Sequence, residues 1–394
     1  MERQTDLDWL RGMMLVLMTI THLPTWFSAH AGQPFGFVSA AEGFVFLSAF
    51  LVGSVYTRTV RTRGLAAMRR ALWARTLKVY AAHVALLLFL LFLLVPVALT
   101  RGAHEITDLA SFYVAHPHVA LASGVLLAYN PPLLDILPMY VVFLAVSPLA
   151  LEHALRRGWG GPLAFSAALW LIAQHGVERH VYESVAALVD WPVPYSQTGA
   201  FSWLAWQLLW MIGLRAGAMA QSPALPSPAP ARPAYAWAPG ASLFGAAAIA
   251  GVFFVWRHTT GQTPFGSDSA LNMFFDKWHL GPLRLLNFAV LAILVVRGRS
   301  VLVKWAERSS LATLGRASLT VFSAHLLLCL GVLAVVGAPI HSHPGPLDAA
   351  LLAGTLAALY VVARLSLSGE RALRARWGKD RKVLKYARVS VSDR

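Results

Sequence analysis

The sequence contains a single cysteine, Cys329, set in an apolar stretch. One thiol excludes an intrachain disulfide, and it leaves no thiolate set for a structural zinc site or an iron–sulfur cluster. Charge is scarce too: Asp, Glu, Lys and Arg make up 13% of 394 residues, against roughly 25% in an ordinary soluble domain. No segment is polar enough to form the surface of a water-soluble enzyme, while hydrophobic residues reach 57%. The composition therefore implies a single polytopic bundle, an all-α membrane protein, and not two or three soluble domains. Acids are outnumbered, 18 to 33, by Lys and Arg. In a soluble chain that excess would suggest nucleic acid; in a membrane chain the placement of the cations reports topology, and no nucleic-acid partner is expected.

Apolar windows long enough to cross about 30 Å of hydrocarbon fall near 9–27, 38–57, 77–99, 133–152, 162–177, 199–219, 238–257, 281–296, 314–337 and 346–366. They predict about ten transmembrane helices, of which the fifth and eighth are short and the first is interrupted by polar residues. With a cytoplasmic N-terminus, only Arg101, Arg179, Arg257, Lys277 and Arg284 fall on the outer side. That bias puts the C-terminus in the cytoplasm as well. Residues 1–366 then form the transmembrane domain, with a Pro-rich cytoplasmic linker at about 221–239, and 367–394 form a basic tail suited to the anionic inner leaflet. The stretch 100–132, which carries Asn130-Pro131-Pro132, is too long for a turn and is expected to be re-entrant or folded over the outer face. The first segment also has the outline of a signal peptide, with Met13–Ile20 as apolar core and Ala29-His30-Ala31 as cleavage site, but Asp6 and Asp8 spoil its basic start. No internal repeat marks an inverted-repeat transporter.

The first span carries the clearest chemical signal. At about 100° per residue, Asp8, Arg11 and His22 share one helical face, with His22 roughly 16 Å beyond Arg11 by helical rise. Ionisable groups inside a membrane are costly and normally face a cavity or a partner. Asp8 and Arg11 could form an interfacial clasp, whereas His22 suits the role of proton acceptor. Glu42, on the next helix, could orient the imidazole and steady its cation, as a carboxylate does in hydrolase triads. No Gly-x-Ser-x-Gly elbow occurs, and Cys329 has no neighbouring base, so a covalent Ser or Cys mechanism is not expected.

The run DWLRGMMLVLMTITH (Asp8 to His22) resembles the opening of the polytopic acyltransferases called type three, and AAEGFVFLSAFLVG (Ala40 to Gly53) is similar to their second signature. Glu42 stands where that family usually has Asp, and Ala49 where it usually has Gly. Together with LDILPMYVVFLAVSPL (Leu134 to Leu149), WQLLWMIG (Trp206 to Gly213), DKWHLGPLRLLNF (Asp276 to Phe288) and LGRASLTVF (Leu314 to Phe322), these blocks resemble the OpgC family, succinyltransferases of osmoregulated periplasmic glucans. Ala49, the Pro-rich linker and the basic tail depart from its pattern.

The resemblance implies a multi-pass enzyme of the bacterial inner membrane that moves an acyl group from cytosolic acyl-CoA, succinyl-CoA above all, to a glucan hydroxyl. The expected catalytic set is His22 as general base with Glu42, Arg11 and Asp8. The phosphates of the coenzyme would meet the basic inner segment, at Arg58, Arg69, Arg70, Arg75 and Lys78, although positive-inside topology alone would produce the same segment. On the outer side Trp191 and Trp278 could stack on sugar faces, and Asp135, Gln207, Asp276, Lys277 and Arg284 could bind hydroxyls or a carboxylate. Lys277 and Arg284, seven residues apart, would share a helical face. His116-Pro117-His118 and His341-Ser342-His343 have no adjoining acids, so no metal site is expected. A transporter of an anionic or sugar substrate, or a noncatalytic partner in glucan assembly, is the alternative class; oligomeric state, a homodimer included, stays open.

Overall fold

The computed structural model describes residues 5–221, 239–306, 309–337 and 343–392. The chain is helical throughout these residues, with no strand among them. The Pro-rich linker lies outside the described residues.

Helix α1 spans Thr5–His22 and short α2 spans Trp26–Ala31. The long helix α3, Ala40–Phe89, starts at a capping box: the Ser39 side chain accepts from the backbone, and Glu42 reaches back to the Ser39 N–H. Gly64 breaks α3 with φ 81° and ψ 172°, a conformation open to glycine and strained for other residues, so 40–63 and 65–89 form two arms of a hairpin. The basic inner segment from Arg58 to Lys78 is therefore built from the facing ends of two helices. A π-helical turn at Leu90–Leu94 leads into α4, Val95–Arg101, where Pro96 has no N–H to donate. Short helices α5 (His104–Leu109), α6 (Ser111–Ala115) and α7 (Pro117–Val125) fold the next stretch back onto the bundle. The Tyr80 hydroxyl donates to the Val125 carbonyl at 3.0 Å, and Leu87 packs under Gly124.

The bundle continues through α8 (Ile136–Arg157), α9 (Gly160–Ala173), α10 (Val177–Leu188) and α11 (Trp203–Met219). It then runs through α12 (Pro239–Thr260), α13 (Pro282–Arg297), α14 (Arg299–Ala306), α15 (Leu311–Arg316), α16 (Ser318–Val336) and α17 (Pro346–Ser392). A helix thus occupies each predicted apolar window. Among the described residues, four are long and apolar enough to cross a membrane: Ala40–Arg101, Ile136–Arg157, Ser318–Val336 and Pro346–Ala372. The others are shorter or carry charge, as α1 does with Asp6, Asp8 and Arg11.

Two close approaches set the site. A Cβ on Gly12 would strike the Leu311 carbonyl, and one on Gly315 would strike that of Asp8, so α1 and α15 meet backbone to backbone. This brings α1 beside α16, where Arg11 bonds Ser318 and His22 faces His325. Both contacts advance along the two helices together, so α1 and α16 run parallel.

Candidate active site

A cavity of about 1020 Å³ opens at the His22 end of the bundle. Its wall mixes apolar residues such as Met18, Leu133 and Ile136 with polar and aromatic ones: Asn130, Asp135, Gln197, Asp276, Lys277 and Trp278 line it, with His22, Ser39 and Phe322. The cavity that the imidazole borders also presents hydrogen-bonding groups suited to hydroxyls, and the Lys277 cation, in a space large enough for a small oligosaccharide segment. His22 Nδ1 lies 3.2 Å from His325 Nε2, and the two rings meet edge to edge, their planes 19° apart and their centroids 5.5 Å apart.

The expected pairing of Glu42 with His22 is not formed. One Glu42 oxygen accepts from Arg284 Nε at 2.7 Å, and the other from the Ser39 N–H at 2.9 Å and the Ser39 hydroxyl at 2.5 Å. The pair is 0% and 1% exposed. Its carboxylate is thus committed to capping α3 and holding α13. The pattern Ser-x-x-Glu at 39–42 was the readable signal for this role. Arg284 also donates to the Phe275 carbonyl at 3.3 Å, so it is a tie between elements and not an open anion site.

Lys277 is different. It stands outside α13, in the connection before it, and so does not share a helical face with Arg284. Its ammonium lies 4.6 Å from the Trp278 ring centroid and 5.8 Å from that of Phe201. Among the described residues no carboxylate lies within ion-pair distance of it. Burial pushes its pKa down, with Glu42 pulling the other way. Asp276 does not face a ligand freely: it accepts from the Trp278 N–H at 3.1 Å, the His279 N–H at 3.0 Å and His279 Nδ1 at 2.5 Å. Burial opposes ionisation of Asp276, but these bonds hold its carboxyl below the usual range, and the same contact raises His279.

Indole N–H groups hold this connection over the cavity. Trp206 Nε1 donates to the Trp278 carbonyl at 3.1 Å, Trp170 Nε1 to that of Leu280 at 3.0 Å, and Gln174 donates to that of His279 at 2.6 Å. Asp135 also belongs to the wall, accepting from the Ala200 N–H at 3.1 Å. Two expected acceptor-binding residues do not reach it. Gln207 is spent on Ser166 of α9, through bonds of 2.6 and 2.8 Å, and Trp191 bonds back to Ala186 away from the cavity.

Below His22 a second cavity, about 30 Å³, is lined by Arg11, Arg75, Tyr140 and Ser318, and it shares Ile136 and Phe322 with the larger one. Phe322 stacks on Phe44 with centroids 5.6 Å apart, forming the partition. Arg11 donates to Ser318, and Arg75 to the Tyr140 hydroxyl at 3.3 Å. The Nε of each guanidinium has no partner, and among the described residues no carboxylate pairs with either. Sequence alone did not point to Tyr140 or Ser318, which come from α8 and α16. Asp8 lies 3.7 Å from Arg316 Nε, so the Asp8–Arg11 clasp is not the contact that holds this end. Of the other basic residues, Arg69 pairs with Glu152, while Arg58, Arg70 and Lys78 are exposed on the α3 hairpin.

No curated protein and no solved structure matches the chain. A family model described as OpgC protein matches residues 3–370, nearly the whole chain, which therefore belongs to the OpgC family, associated with acyl and succinyl transfer on glucans.

Proposed function

We propose that the chain is an integral membrane O-acyltransferase that moves a succinyl group from succinyl-CoA to hydroxyls of a periplasmic glucan. One observation carries this reading: an imidazole bordering a large cavity, with buried Arg11 and half-buried Arg75, neither paired with a carboxylate among the described residues, in a smaller cavity beneath it. An acyl donor arriving from one face and an alcohol from the other would meet there.

The acceptor hydroxyl binds in the large cavity, against Asn130, Asp135 and the Trp278 ring. His22 takes its proton as the oxygen attacks the thioester carbonyl; the C–O bond forms, the C–S bond breaks, and the leaving thiolate takes the proton from His22. Lys277 holds the distal carboxylate of the succinyl group, the one charge that distinguishes it from an acetyl group. Arg11 and Arg75 bind the polar arm of the donor, and the exposed cations of the α3 hairpin its phosphates. A space of about 30 Å³ admits roughly one water, so the thioester arm requires Phe44 and Phe322 to part.

The same reading takes the helices in the predicted windows as ten spans of the bacterial inner membrane, both termini cytoplasmic, with the basic tail against the inner leaflet. The parallel course of α1 and α16 supports it, since the first and ninth spans must cross in the same direction. The test is acyl transfer by the purified chain in nanodiscs with succinyl-CoA and a glucan. His22→Gln should leave the amount of folded protein unchanged and abolish both glucan esterification and acceptor-dependent release of coenzyme A thiol. Undiminished esterification would remove His22 from the chemistry.

A further inference from the structure

His22 has two ring nitrogens, and only one arrangement of protons satisfies its surroundings. His325 Nδ1 lies 2.6 Å from the Phe322 carbonyl oxygen. A carbonyl only accepts, so that nitrogen carries the hydrogen, and a neutral imidazole has just one. His325 Nε2 is therefore a bare acceptor. It lies 3.2 Å from His22 Nδ1, which must donate. The hydrogen of a neutral His22 is thereby fixed on Nδ1, and its Nε2 keeps the lone pair. Among the described residues the His22 ring bonds only through Nδ1, to His325, and His22 borders the large cavity.

We propose that His325 is a positioning residue: the Phe322 carbonyl orients its ring, and it in turn fixes the tautomer of His22 so that Nε2 faces the acceptor hydroxyl as base. This rests on the acyltransferase reading above and assigns to a histidine on α16 the part that Glu42 does not play. When His22 Nε2 takes the hydroxyl proton, its Nδ1–H bond to His325 becomes charge-assisted and steadies the imidazolium until the thiolate collects the proton. No proton need pass to His325.

Two further features fit this geometry. Thr19 and Cys329 meet between α1 and α16, both fully buried, with the Cys329 thiol 3.9 Å from the Thr19 carbonyl. The two ring planes lie 19° apart, close to the coplanar arrangement that an in-plane N–H···N bond requires.

The test uses the full chain in nanodiscs with 15N-imidazole-labelled histidine, the His22 signals being those lost in His22→Gln. In the native protein they should report a protonated Nδ1 and a bare Nε2. His325→Gln, whose amide oxygen can accept where Nε2 did, should keep that pattern and most of the turnover. His325→Leu, similar in bulk but without an acceptor, should show the other tautomer or a mixture. Its kcat should fall about a hundredfold or more, by analogy with misoriented triad histidines, with KM for succinyl-CoA unchanged. A native His22 carrying its hydrogen on Nε2 overturns the proposal, and so does a Leu variant with native kcat. If the Leu variant fails to fold, the native tautomer and the Gln variant decide the matter. If the native chain shows the expected tautomer but transfers no acyl group, the acyltransferase reading fails and the relay stands.

Discussion

At the scale of single residues, the contrast between Arg284 and Lys277 decides where an anion can bind. Both are cations that the charge pattern placed on the outer side, and from the sequence they looked equivalent. Arg284 is buried against Glu42 at 2.7 Å, and removing one member of such a pair costs about 3–5 kcal/mol because the other is left uncompensated. Glu42→Ala should therefore lower the melting temperature in detergent sharply, and Glu42→Ala/Arg284→Met should recover part of the loss. Lys277 lies against the Phe201 and Trp278 rings and, among the described residues, forms no ion pair. Lys277→Met should keep the fold, raise KM for succinyl-CoA by about tenfold or more, as loss of a charge-assisted bond implies, and leave any transfer from acetyl-CoA unchanged. Equal loss with both donors would mean that Lys277 does not read the carboxylate. His22 and Arg11 were legible because both lie on one face of one amphipathic helix. The pairings with Ser318, Tyr140 and His325 were not, because contacts between helices far apart in the chain leave no periodicity.

At the scale of elements, the connection Asp276–Leu280 is the part whose shape the sequence hid. It contains the charged and aromatic residues expected to bind ligand, but most of its polar capacity goes into its own geometry. Asp276 is a clamp, and the indoles of Trp170 and Trp206 are its supports. The Asp276–His279 contact gives it a pH dependence. His279 is raised above its ordinary 6.5, so its contribution is complete below about 6.5 and is lost as pH rises through the folded value. Its side chain is 40% exposed, and solvent screening keeps the effect below about 1 kcal/mol. The melting temperature should therefore decline slightly as pH rises through and above neutrality, and His279→Gln should flatten that decline. The meeting of α1 with α15 is sharper. Gly12→Ala sets a methyl against the Leu311 backbone, and overpacking of this kind costs about 1–3 kcal/mol. Displacing α1 would also move His22 from His325, so activity should fall further than stability.

At the scale of the whole molecule, the apolar windows were readable because a helix in lipid must satisfy its backbone internally and shield its length with apolar side chains. What the windows did not give is how the shorter helices fit the bilayer. Helix α9 has 14 residues, about 21 Å at 1.5 Å per residue, against roughly 30 Å of hydrocarbon. If α9 spans, the bilayer must thin around it or its flanks must fill the difference, and the polar turn at Gln174–Gly176 would sit inside the headgroup boundary. The side on which residues after α9 emerge is thus the sharpest test of the ten-span topology. Cys329 is buried, so replacing it by Ala gives a background free of thiols. In that background, cysteines introduced one at a time at His118, Arg157 and Val189, all exposed positions, can be challenged with a membrane-impermeant maleimide. In intact cells with a permeabilised outer membrane, positions 118 and 189 should react and 157 should not; after disruption of the inner membrane all three should. Protection of 189 together with 157 would mean that α9 lies along the inner face. The elements after it would then change sides, and the cavity around His22 would have no fixed exposure to the glucan.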